Sequence, residues 1–317
     1  MNDDFVISTR GLTKKYGMFL FRSRNAALSE LSIDIPRGAV FGFLGPNGAG
    51  KTTTIKLLMD LIKPTAGSAM VLGRPADDVE VKSRIGFLPD TPSFSPQLSA
   101  MEFLSICAKL LKIPSSLRRD RIQEALEIVK MTKHVKSKLG SFSRGMLQRI
   151  GIAQAILNYP ELLILDEPLL GLDPYGRQEL KEIISSQSSR NATVFFSSHI
   201  LSDVQEICDH IAILNKGRLL CSGSLKDLLP ESGTVLEIHS CDDAVKELMS
   251  DASESVKDSS GDWKLSFRKI SWETEEKIKR LSERFPGKII RSAAAESLEN
   301  FFFHTIEQND AEQRKED

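Results

Sequence analysis

The residues of this chain best suited to chemistry lie in one short loop. Gly45-Pro46-Asn47-Gly48-Ala49-Gly50-Lys51-Thr52 has the spacing G-x-x-x-x-G-K-[ST], which wraps backbone N–H groups around a nucleoside triphosphate. The glycines permit the turns that aim those N–H groups inward. The Lys51 ammonium can reach the β- and γ-phosphates, the Thr52 hydroxyl can ligate Mg²⁺, and Thr53 follows in the same turn. For these residues to converge, a buried strand must enter the loop and a helix must leave it. Residues 38–44 read as that strand and 51–62 as that helix, whose positive end faces the same anion.

A second cluster pairs two carboxylates. Residues 161–168 form an apolar run ending in Asp166 and Glu167 before Pro168. A run of this length suits a strand buried on both faces. Asp166 then stands at the strand's carboxyl end, where ligands collect in parallel α/β sheets, and is placed to hold Mg²⁺. Glu167, one residue further out, suits a general base for an attacking water. Without the glycine loop the same residues would read as a solvated acidic turn.

A third segment names a family. Phe142-Ser143-Arg144-Gly145-Met146 stands just before the acidic strand and resembles the Leu-Ser-Gly-Gly-Gln signature of ATP-binding cassette (ABC) proteins. Ser143 and Gly145 match; Arg144 and Met146 depart. The resemblance implies that Ser143, Gly145 and the helix behind them meet the γ-phosphate held by an opposite subunit, as helix N-termini meet anions. Residues 170–174, Leu-Gly-Leu-Asp-Pro, resemble the family's D-loop, with Asp173 expected at the subunit interface and Leu170 in place of a commoner small or polar residue. Ser197-Ser198-His199 closes another apolar run, and His199 resembles the switch histidine that works with Glu167. Tyr16 resembles the aromatic that stacks on adenine. Core filling is the competing reading for Tyr16, and Phe19 and Phe21 compete for the role. In the Q-loop position Asp90 replaces the usual Gln. A carboxylate is a harder Mg²⁺ ligand but donates no hydrogen bond when ionised, and an ordinary turn residue is the alternative.

The rest of the chain frames these motifs. Lys and Arg total 42 against 43 Asp and Glu, so no global field argues for nucleic acid or anionic lipid. The amino terminus does not read as a secretory signal, and no apolar run reaches the length of a membrane span. Four scattered cysteines read as buried free thiols in a reducing compartment. The expected fold is α/β: a P-loop ABC ATPase domain over residues 3–226, with a β-rich amino-terminal subdomain and a helical subdomain inserted over about 91–157. A small α+β domain over 230–308 and a disordered polar tail over 309–317 follow. Ser99-Ala-Met-Glu102 reads as a capping box. The loop 91–98, carrying Phe94, lies where family members receive a membrane subunit, or is an ordinary surface loop. The resemblance implies an ATPase that binds ATP and Mg²⁺. It implies a homodimer or heterodimer around two nucleotides, driving a separate transmembrane permease from the cytoplasmic face of the membrane, on the exporter-type branch. The alternatives are a nucleotide-gated clamp on a membrane complex that transports nothing and a soluble factor acting on nucleic acid or the ribosome.

Overall fold

The computed structural model describes residues 4–16, 26–229, 234–239, 241–258, 261–267, 271–293 and 297–316. The chain divides into two compact units, 1–224 and 225–317.

The first unit is built on two sheets. β1 (Phe5–Lys14), β2 (Leu28–Pro36), β4 (Ala66–Val71) and β5 (Arg74–Pro75) form an antiparallel sheet in the order β2-β1-β4-β5. The second sheet runs β10-β9-β3-β8-β7-β6. Its strands are β3 (Val40–Leu44), β6 (Ile85–Leu88), β7 (Leu162–Leu165), β8 (Thr193–Ser198), β9 (His210–Asn215) and β10 (Arg218–Ser224). All neighbours are parallel except the edge strand β10. Every residue of β3, β7 and β8 is buried, which explains why these segments read as continuous apolar runs. Phe195 of β8 stacks on Phe41 and tilts against Phe43 of β3, with ring centroids 5.8 and 5.2 Å away. The core lies between the two sheets and α1 (Lys51–Leu58). Burial of this layer, at about 25 cal/mol per Å² of apolar surface removed from water, stabilises the strand and helix that flank the phosphate loop.

The inserted segment is helical. A short helix, α2 (Val79–Lys82), precedes β6; α3 (Ala100–Leu110), α4 (Ser115–Ile128) and α5 (Arg144–Ile156) follow it. The expected capping box is present: the Ser99 Oγ accepts from the Glu102 N–H, and the Ser99 N–H donates to Glu102 Oε2 at 2.7 Å. A Cβ on Gly86 of β6 would lie 2.2 Å from the Ala155 carbonyl oxygen. Only glycine lets α5 pack this close, and that contact fixes where the helix's amino end emerges. α6 (Pro174–Ser188) and α7 (Leu201–Ile207) complete the unit. Among the described residues no helix is long and apolar enough to cross a membrane. All four cysteines are free thiols, and burial raises those of Cys107 and Cys221 to about 11.

In the second unit α8 (Leu225–Leu228) leads to β11 (Thr234–Ile238), α9 (Asp242–Leu248), β12 (Glu254–Lys257), β13 (Trp263–Phe267), α10 (Trp272–Arg284), β14 (Ile289–Ala293) and α11 (Leu298–Glu316). The antiparallel sheet runs β12-β13-β11-β14. This is the βαββαβ pattern of ferredoxin-like folds. Leu236, Ile238, Leu265 and Phe267 on one face pack with Ala244, Val245 and Leu248 of α9 and Ile278 and Leu281 of α10. β12 carries no sequence signal, since its residues are all exposed and lack alternation. One expectation needs correction. The tail expected to be disordered continues α11 to Glu316. Ala311, Glu312, Gln313 and Arg314 are good helix formers, so an already nucleated helix extends through them.

Candidate active site

The ends of β3, β7 and β8 converge on one cleft of about 410 Å³. Phosphate-loop residues Asn47 to Thr53 line it with Asp90, Glu167, Leu170, His199 and Ala27. The loop is held by steric contact as well as by its glycines' freedom. A Cβ at Gly45 would stand 2.5 Å from the Leu214 carbonyl oxygen, and one at Gly50 would stand 2.6 Å from that of Ala27. Gly50 has φ +108° and caps α1 without any side-chain hydrogen bond. The first-turn N–H groups of α1 therefore face the loop with no side chain competing for them.

Lys51 is buried and its ammonium lies inside the loop. It donates to the carbonyls of Gly45 (2.7 Å) and Pro46 (3.4 Å) and pairs with Glu167 Oε1 at 3.2 Å. The other Glu167 oxygen lies 2.9 Å from His199 Nδ1. Glu167 is thus bridged between a lysine and a histidine. Its backbone is unusual too. With φ +49° it sits in the left-handed region, which costs a residue with a Cβ roughly 1–2 kcal/mol. Its N–H donates to Ser197 Oγ at 2.9 Å, and the Ser197 hydroxyl donates onward to Asp166 Oδ1 at 2.6 Å.

Asp166 is almost wholly buried. Burial pushes its carboxyl above the usual range; hydrogen bonds from Ser197 and Thr52 oppose this, while the charges of Asp90 and Glu167 reinforce it. A carboxylate in that position lacks positive charge, and a divalent cation would supply it. Asp166, Asp90 and the Thr52 hydroxyl offer hard oxygen ligands of the kind Mg²⁺ takes while keeping several waters. The donor set therefore fits the ion, and the Lys51 ammonium with the uncapped α1 fits a phosphate chain.

The remaining expected site residues fall in a second place. Ser143 caps α5, its Oγ accepting from the Met146 N–H at 3.3 Å. Asp173 caps α6, accepting from the Gly176 N–H at 2.7 Å. Ser143, Gly145 and Asp173 line a cavity of about 330 Å³, and none of them lines the phosphate-loop cleft. Tyr16 is not brought to the cleft either. It is half exposed, with the Lys14 ammonium 5.4 Å from its ring centroid. Phe19 and Phe21 lie outside the described residues. Phe94 packs edge-on to Phe103, centroids 5.1 Å apart, so part of its ring is turned into the helical subdomain.

Sequence reasoning missed the linking role of Ser197. The signal was register: β7 and β8 run parallel with Leu165 beside Phe196, so the next pair sets Asp166 beside Ser197. It also missed Leu170 and Ala27 as cleft residues, and no spacing rule would have found them.

The model of the family described as "ABC transporter" matches residues 28–170. An ABC transporter ATP-binding protein of Nostoc sp. is 38% identical over 312 residues, 98% of this chain and 92% of that protein. The bacitracin transport ATP-binding protein BcrA of Bacillus licheniformis is 45% identical over 218 residues, 68% of this chain and 68% of that protein. A solved structure described as the ATP-binding subunit of an ABC transporter is 29% identical, with a TM-score of 0.63 covering 70% of this chain and 91% of that one. The chain belongs to the family of ABC transporter ATP-binding proteins and is an ATP-hydrolysing P-loop enzyme.

Proposed function

We propose that this chain is the motor subunit of an exporter-type ABC transporter, working as a head-to-tail dimer on a separate membrane permease from the cytoplasmic face. The observation that carries the reading is Glu167 held between Lys51 and His199 beside the phosphate loop. The separation of Ser143 and Gly145 from the cleft supports the dimer: one copy needs a second to bring a signature helix to its nucleotide. The likeness to BcrA, named for bacitracin transport, supports the exporter branch. The order of the two units supports an ATPase domain over 3–226 and an accessory domain over 230–308.

In this mechanism the loop N–H groups of residues 47–51 and Lys51 bind the phosphates of ATP. Thr52, Asp166 and Asp90 would hold Mg²⁺, which would supply positive charge against the phosphates. When phosphate oxygens draw the Lys51 ammonium, Glu167 keeps its contact with His199 and gains a free oxygen toward the water. Glu167 accepts the water's proton, and His199 holds the carboxylate in line. Ser143 and Gly145 of the second copy close the site.

Glu167→Gln tests the reading. Gln is nearly isosteric but accepts no proton at neutral pH, so the variant should bind ATP, lose about 10²-fold or more of its hydrolysis and accumulate as a dimer in size-exclusion chromatography with Mg-ATP. Wild-type hydrolysis in the folded variant would remove Glu167 from the mechanism.

A further inference from the structure

The signature segment departs from the family pattern at Arg144, and the structure places that side chain against the D-loop of the same chain. Gly171 has φ +73°. A Cβ there would stand 2.6 Å from Arg144 Nη1, 2.8 Å from Cζ and 3.1 Å from Nε. Three atoms of the guanidinium at nearly one distance mean that its plane lies over the glycine. The exchange is reciprocal. A Cβ on Gly145 would stand 3.3 Å from Leu172 Cδ2, so Leu172 fills the space beside the signature glycine while Arg144 fills the space beside the D-loop glycine. Arg144 makes no hydrogen bond or ion pair among the described residues; it meets Gly171 through shape.

The other end of the D-loop reaches the nucleotide cleft. Leu170 lines that cleft, whereas Gly171, Leu172 and Asp173 line the signature cavity. The Leu170 N–H donates to the Glu167 carbonyl at 3.2 Å, so a single turn joins the general base to the seat of the arginine. A displacement of α5 carries Arg144, which cannot slide without clearing Gly171, and Gly171 adjoins Leu170 and the Glu167 turn.

We propose that Arg144 is a positioning residue: seated on Gly171, it couples the chain's signature face to its own hydrolytic cleft. This rests on the head-to-tail dimer. There the signature face meets the second copy's nucleotide, and the interlock then passes the state of one site to the other. Coupling of this kind is a free energy shared between sites and shows as cooperativity.

The test uses the full chain and steady-state ATPase kinetics, with affinity for a fluorescent ATP analogue measured on dilute protein. Wild type should dimerise with ATP and show a Hill coefficient rising above 1 toward 2, the number of sites. R144A should bring the coefficient to about 1 and lower the saturated rate. Its affinity for the analogue should stay as in wild type. R144K should behave like R144A, because an ammonium has no plane to lay on Gly171. G171A should cost more in the wild-type chain than in the chain already carrying R144A. The strain of a Cβ at positive φ is common to both backgrounds and cancels in the cycle.

A cooperative R144A or R144K, or an additive cycle, overturns the seat. A folded R144A that has lost the analogue gives Arg144 a different role and overturns the proposal as well. A wild type that dimerises with a coefficient of 1 overturns the coupling alone, whereas one that never dimerises overturns the head-to-tail reading beneath it.

Discussion

Lys51 is satisfied by two backbone carbonyls and one carboxylate, all within the phosphate loop and its neighbour. None of these partners belongs to the apolar core, so its removal should spare the fold and disable the site. Lys51→Ala is expected to keep the wild-type far-UV spectrum and lose at least about 10²-fold in hydrolysis, the scale of removing one charge-stabilising donor. Steady-state ATPase of the purified variant checks this, and normal turnover would displace Lys51 from the site. At this scale the sequence was most legible where chemistry demands contiguity. A phosphate loop must be a loop of neighbours, so its residues announce themselves by spacing. Ser197 did not, because its link to Asp166 and Glu167 arises from the register of two strands far apart in the chain. The left-handed backbone at Glu167 was equally hidden, since nothing in a glutamate signals positive φ.

Elements place these residues, and two of them carry measurable consequences. The capping box at α3 was readable because it is local: four residues supply both partners. Ser99→Ala removes the acceptor for the Glu102 N–H and should cost about 1 kcal/mol in denaturant unfolding. Restored stability in S99D, which supplies a cap again, would assign the loss to the cap. At α7 the case is reversed. Asp203 lies 3.8 Å from Arg177 Nε and 3.7 Å from Lys181 Nζ, too far for hydrogen bonds, and its Oδ2 and the Arg177 Nε have none. Burial raises its carboxyl above the ordinary range despite Arg177 and Lys181, with Glu206 adding to the rise. The native state therefore binds the proton more readily than the unfolded chain does. That contribution is fully present below about pH 4, the ordinary carboxylate value, and is lost as pH rises through Asp203's own value. Melting temperature followed across this window should fall less steeply in Asp203→Asn. An unchanged slope would show that Asp203 ionises in the fold as it does outside it. This cluster was invisible in the sequence because Arg177, Lys181 and Asp203 belong to two helices whose approach is set by packing.

The whole molecule separates into a unit that holds every nucleotide motif and a unit that holds none. The first was legible because its buried parallel strands read as apolar runs and its motifs fall in a fixed order. The second was read only as a small α+β domain, and its βαββαβ sheet order could not be seen, since strand order is a property of pairing and not of pattern. The consequence is a prediction for the chain cut after Leu229. All the cleft-lining residues, and the core between the two sheets with its flanking Leu219, lie before that point, and the carboxy-terminal sheet has its own core of Leu236, Ile238, Leu265 and Phe267. Cutting there severs neither of these two clusters. The truncated chain should fold and bind ATP within about two-fold of the full chain's affinity, the scatter expected when distant sites act independently. Isothermal titration with a non-hydrolysable ATP analogue measures it directly. A soluble, folded truncation that no longer binds would mean that residues beyond 229 help to hold the cleft, and the two-unit reading of the chain would fail. Hydrolysis compared at matched binding then isolates what the ferredoxin-like unit adds. A changed rate with unchanged affinity would make that unit a regulator of turnover, acting on closure and not on nucleotide capture.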